Sequence, residues 1–203
     1  MIKSISDLEK YTQKIAAKYP EEAEEIILKS PGISKEEEQI ILKNIPQISA
    51  VYLNCAKRLD LIGVKLGYFF LWPAPRTEFN LSKTIIEANA EHNPFKKILK
   101  ENGLVQVALW EADPIVVANA DSKYGEDRVF KINTGSPKSN LQNLANNFED
   151  FLIIIGNLDE TAQTSEEHNE EEVNEFLEKV KYLIKDEDTL KTWQTIAEIV
   201  ILE

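Results

Sequence analysis

Glu111 and Asp113 are paired carboxylates of this 203-residue chain that could serve acid–base work, since carboxylates two residues apart at a strand end can act as proton donor and acceptor. Asp113 stands directly before Pro114, however, and an Asp-Pro pair is more common as a turn former. Nucleophilic chemistry of the Ser or Cys type needs a base beside the nucleophile. The histidines available for that role are His92, in Glu91-His92-Asn93-Pro94, and His168, among glutamates. Neither has a motif around it, and they read as a helix-end residue and a solvated one. Cys55 is the single cysteine, so an internal disulfide is impossible, and with two histidines it falls short of a zinc set. It reads as a small buried residue. The seven glycines form no GxGxxG and no Walker loop, which leaves a nucleotide without its phosphate cradle, and Gly135-Ser136-Pro137-Lys138 is a plain loop. The residue inventory therefore implies no cofactor, no metal and no catalysis.

Charge points toward a partner. The chain carries 35 acids against 23 Lys and Arg, yet residues 139 to 178 hold 11 acids and no base, so nearly all of the net −12 is local. A field of that sign repels phosphate backbones, which disfavours nucleic acid, and draws in a basic partner faster than a neutral one. The plain alternative is that Glu166, Glu167, Glu170, Glu171 and Glu172 are a solvated linker and the acidic start of a helix. No segment approaches the roughly 20 consecutive apolar residues of a membrane span, and the first seven residues lack the apolar core of a secretory signal. Those features predict a cytoplasmic protein. With 43% apolar residues the length suits one domain plus an appendage.

These side chains must be positioned by the elements around them. Helices are predicted for the first sixty residues. Ser6 with Glu9 and Ser34 with Glu37 read as capping boxes, Pro20 ends the first helix, and Glu21 to Lys29 form a short second one. From Gln47 to Leu59 the positions Ile48, Val51, Tyr52, Cys55 and Leu59 make one apolar stripe. Leu66 to Trp72 is an apolar and aromatic run bounded by Gly63 and Pro73, which predicts a central strand with both faces covered. Helical stretches follow near Leu81 to Glu91 and around Phe95, Ile98 and Leu99.

Between Asn102 and Gly156 the period changes. Val105, Val107 and Leu109 alternate with Gln106, Ala108 and Trp110, Asp113-Pro114 bends the chain, and Ile115 to Ala118 form a second strand. Arg128-Val129-Phe130-Lys131-Ile132 alternates charged and apolar residues, as a strand with one wet face does. An amphipathic helix is then predicted to carry Leu144, Phe148, Phe151, Leu152 and Ile155. Trp72 and Trp110 are expected to pack within or beside the sheet; an exposed one would instead be an anchor for a partner. Beyond residue 158, Val173, Phe176, Leu177, Val180 and Ile184 predict one amphipathic helix, and Leu190, Trp193, Ile196, Ala197 and Val200 another. This helical hairpin reads as a lid on the core or as a dimerisation or docking arm.

Between about Ile33 and Leu158 the chain resembles the SUKH superfamily, the domains shared by bacterial immunity proteins and the fungal Smi/Knr-type regulators of cell-wall synthesis. The resemblance lies in Ile45-Pro46 followed by Tyr52-Leu53, in the strand pair Leu104 to Asn119 followed by Arg128 to Ile132, and in Leu144 to Leu152, like that family's closing helix. Asp60-Leu61-Ile62-Gly63 departs from the Asn-Gly pair that many members carry, and Asp113-Pro114 from a Gly-rich turn. The expected architecture is α+β: an antiparallel sheet wrapped by helices (residues 33–158), preceded by N-terminal helices (1–32) and followed by an acidic linker with the C-terminal helical hairpin (159–203).

What the resemblance implies is a non-catalytic binder, an immunity protein neutralising a cognate bacterial toxin. A basic toxin domain is the partner that the charge suits. Glu78, Glu111, Asp113, Asp121, Glu126 and Asp127, at loops flanking the sheet, are the candidate contacts. Two alternatives stay open: a general regulatory interaction module of Smi/Knr type, and a small carboxylate-dependent enzyme.

Overall fold

Ser, Asn and Asp side chains start most of the helices. In the computed structural model, which describes residues 1–73, 80–135, 140–165 and 167–202, the helices are α1 (Ile5–Lys18), α2 (Ala23–Ile26), α3 (Lys35–Asn44), α4 (Ala50–Arg58), α5 (Leu81–Ala88), α6 (Lys96–Asn102), α7 (Phe148–Thr164), α8 (Glu170–Val180) and α9 (Glu187–Leu202). The capping box of Ser34 and Glu37 forms as expected. For α1 the cap is Ser4, two residues before the predicted Ser6: its hydroxyl accepts from the Asp7 backbone N–H, and Asp7 supplies the acidic first turn. The acidic run near residue 170 is largely the first turn of α8, where Glu170, Glu171 and Glu172 meet the positive end of the helix dipole and Asn169 with Glu172 makes a second capping box.

Among the described residues, six strands form one antiparallel meander: β1 (Lys65–Leu66), β2 (Phe69–Phe70), β3 (Leu104–Trp110), β4 (Asp113–Ala118), β5 (Val129–Asn133) and β6 (Asn140–Ala145), in the order β1-β2-β3-β4-β5-β6. The expected α+β class is thus the observed one. The run Leu66 to Trp72 is not a central strand. It folds back on itself as the short β1–β2 hairpin at one edge, because Gly67 takes a left-handed φ of 56° that the sequence pattern conceals. β6 departs from expectation too, since the sequence pattern predicts loop and helix there. Leu144 belongs to this strand, and the helix begins only at Phe148, after Asn147 accepts from the Asp150 N–H at 2.9 Å.

The two faces of the sheet are both covered, unequally. One side carries Val105, Trp110, Ile115, Val117, Val129 and Leu144 into a core shared with α1, α4, α7, α8 and α9. α7 is enclosed on nearly every side, so it is a central helix and not simply an amphipathic one. It continues to Thr164, past the boundary drawn at residue 158. Phe151 packs edge-on to Phe69 at 5.5 Å and lies near Trp193 at 6.5 Å, joining sheet, α7 and α9. Burying each such side chain contributes on the order of 1.5 to 3 kcal/mol before entropy. Val173, Phe176, Val180, Trp193 and Ile196 belong to this same core, which makes the C-terminal helices an integral wall of it. The outer side is a smaller cluster of Leu104, Val116, Ala118, Phe130 and Ile132 under Leu99 of α6.

Lys131 corrects the reading of β5 as a strand with one wet face. It is 6% exposed and points into the core side, where its ammonium lies 3.8 Å from the centre of the Trp110 ring and 3.5 Å from Asp113. Burial lowers its pKa, and the Asp113 carboxylate opposes that. An aromatic face and one carboxylate together replace the water that the alternation predicted. Trp72 and Trp110 are both buried, as expected, and so is Cys55, whose thiol is pushed up to about 12 by burial.

Candidate binding surface

The part of the outer face that α6 does not reach is a groove of about 960 Å³. Phe130 of β5 and Leu141 of β6 line it from the sheet, Ile98 and Glu101 from α6, Tyr124 from the β4–β5 loop, and Asp186, Asp188 and Thr192 from the start of α9. Local hydrogen bonds hold each wall. The β4–β5 loop is tied to α6 by Ser122 Oγ donating to the Asn102 carbonyl at 2.7 Å, and to α4 by Ser49 Oγ donating to Asp127 at 2.5 Å. Asp186 begins α9 by accepting from the Thr189 N–H and hydroxyl, both at 2.8 Å, and Asn143 of β6 donates to that hydroxyl at 2.6 Å. The backbone N–H of Thr189 is the main cause that holds the Asp186 carboxyl below its ordinary range; burial opposes it, and the Thr189 hydroxyl, the Arg128 charge and the Asn143 amide add to it.

The groove is negative and rich in acceptors. Glu101, Asp186 and Asp188 line it against Arg128. Asn143 lines it as well, and its buried Oδ1 has no donor among the described residues. Its apolar floor with an acidic rim suits a partner that presents apolar and cationic side chains together.

The candidates from sequence are not brought together. Glu78 lies outside the described residues. Glu111, exposed and at a positive φ of 52°, and Asp113 sit at the β3–β4 turn, where Asp113 is engaged by Lys131 and by the Thr134 N–H at 2.9 Å. Asp121, Glu126 and Asp127 sit in the loop at the other end of β4, a strand of six residues that puts them roughly 20 Å away. Asp121 accepts from the Gln47 side chain and Asp127 from Ser49, while Glu126 is exposed. Their loop supplies a wall of the groove through Tyr124 and Arg128, but these three carboxylates do not line it.

The two histidines have partners of their own. His92 pairs with Glu87 at 2.9 Å and is two-thirds exposed, and His168 Nδ1 meets the Ile201 carbonyl at 2.8 Å at the end of α9. No group of three or more metal-ligating side chains forms among the described residues. Sequence reasoning missed Glu101, Asp186 and Asp188 because they lie in two segments far apart in the chain, α6 and the head of α9. The one legible signal was Asp186 three residues before Thr189 at the head of a helix, a capping pattern that fixes where that wall begins.

No family model, curated protein or solved structure matches this chain.

Proposed function

We propose that this chain is a non-catalytic protein-binding domain, an immunity protein that occupies and neutralises a cognate bacterial toxin. The observation that carries the reading is the groove: an apolar floor of Phe130 and Leu141 with Glu101, Asp186 and Asp188 around it, opposed by the guanidinium of Arg128. The SUKH resemblance supports the same reading, because it implies an α+β domain that works by contact. A basic toxin domain fits the groove by charge, and the acids there compete for the surface such a toxin would turn toward a phosphate backbone.

The test uses a toxin domain encoded beside this gene. Co-expression rescues growth, and the purified pair associates at a rate that falls steeply between low and high salt. Absence of both rescue and association overturns the reading; association without rescue moves the protein to the regulatory class.

A further inference from the structure

The sheet has two unequal free edges. On β3, β2 pairs with Leu109 and Trp110 alone, and among the described residues no strand lies beside the earlier part of β3. There the Asn89 side chain substitutes for one, donating from Nδ2 to the Gln106 carbonyl at 2.9 Å and accepting from the Gln106 N–H at 2.9 Å. At the opposite edge, β6 is the last strand, and the Trp193 indole donates to the Leu144 carbonyl at 2.7 Å. Among the described residues, no hydrogen bond from outside the sheet reaches the backbone of Asn140, Leu141 or Gln142. Nor does β6, Asn-Leu-Gln-Asn-Leu-Ala, contain the Lys or Pro with which edge strands repel another chain. All three of these residues line the groove.

We propose that the groove receives an extended, Arg- or Lys-bearing segment of the partner protein, which pairs with Asn140 to Gln142 as a seventh strand. The inference rests on the protein-binding reading above and names how the partner is held. Main-chain hydrogen bonds along β6 supply the docking, over about 10 Å for three residues. Side chains that alternate along the added strand meet Leu141 on the floor and the carboxylates of Asp186, Asp188 and Glu101 at the rim. An acidic segment is rejected by the same carboxylates.

The full chain, ¹⁵N-labelled, is titrated with the peptide Ac-Arg-Val-Arg-Val-Arg-NH₂, with two versions N-methylated either on both Val or on the Arg residues, and with Ac-Glu-Val-Glu-Val-Glu-NH₂. The parent basic peptide should shift the amides of residues 140 to 143 and of Asp188. One of the two methylated versions should bind about tenfold more weakly or worse, because the backbone donors of alternate residues point to β6. Equal binding by all three basic peptides at the groove overturns strand pairing and leaves the protein-binding reading standing. Shifts gathered instead on the exposed glutamates of α8, or equal binding of the Glu peptide, overturn the groove itself. In the double variant Glu101→Lys/Asp188→Lys, which changes two exposed residues, affinity for the parent peptide should fall by about tenfold with the remaining spectrum unmoved. Unchanged affinity in that variant overturns the role of charge.

Discussion

The edge of β3 and the edge of β6 pose one physical problem and receive different answers. Beside β3 a single asparagine amide satisfies both the N–H and the C=O of Gln106. Beside β6 an indole closes the Leu144 carbonyl, and the three preceding residues face the groove. The difference teaches that this fold can close an edge with one side chain, so an edge left open in a polar, uncharged strand marks where another chain can add.

The comparison can be broken most forcefully from beneath both edges. Phe151→Ala removes the ring that joins Phe69, α7 and α9, and should cost roughly 3 to 5 kcal/mol, read from chemical denaturation, with amide exchange rising at β3 and β6 alike. If one edge keeps its protection, the two do not share a core. Asn89→Ala acts on the closed edge alone. It orphans two backbone groups of Gln106 and should cost about 2 to 4 kcal/mol, with faster exchange at Gln106 and none added at β6. Trp193→Phe keeps most of the buried ring and loses the bond to Leu144, for about 1 to 3 kcal/mol.

A smaller, pH-dependent effect is expected where a buried carboxylate fastens the β1–β2 turn. Asp159 accepts from Tyr11 Oη at 2.7 Å and from the Gly67 N–H at 3.0 Å, and its pKa is raised by burial against the pull of both bonds. A carboxyl whose folded pKa lies above its unfolded one binds more protons folded, so its stabilising contribution is complete below the unfolded pKa and declines as pH rises through the folded one. Asp159→Asn, whose amide can still serve Gly67 and Tyr11, should therefore melt above the parent at neutral pH, with the gap narrowing as pH falls toward the unfolded value. A gap that widens on acidification would reverse the sign. Least affected is the open edge itself: Asn140→Lys should leave stability within about 0.5 kcal/mol while weakening capture of a basic peptide.

Much of the architecture was legible in the sequence, because long apolar periods fix where helices and buried strands lie. Val105 to Ala118 read correctly as two strands, and Val173 to Val200 as two helices, since their apolar residues recur at one period. The errors have separate causes. Leu66 to Trp72 looked continuous because Tyr68 and the phenylalanines hide the turn at Gly67. β6 was invisible because Asn-Leu-Gln-Asn-Leu-Ala has no β-branched residue and its pairing is dictated by β5. Lys131 reads as solvated because alternation cannot report the Trp110 ring, two strands earlier in the chain. The groove was the least legible feature: Glu101, Leu141 and Asp188 are adjacent only once the meander has folded.

The clasp between the first residues and α7 has a kinetic meaning. Asn157 donates to the Ile2 carbonyl and accepts from the Ile2 N–H, across 155 positions of chain, and Gly156 beside it admits Leu8, whose Cδ1 lies 2.5 Å from where a β-carbon would stand. From β3 to β6 each strand, by contrast, pairs with the next one in the chain, so that part of the meander can zip up by local loop closure. α1 is therefore expected to dock late, as a bolt slid across a frame that has already assembled.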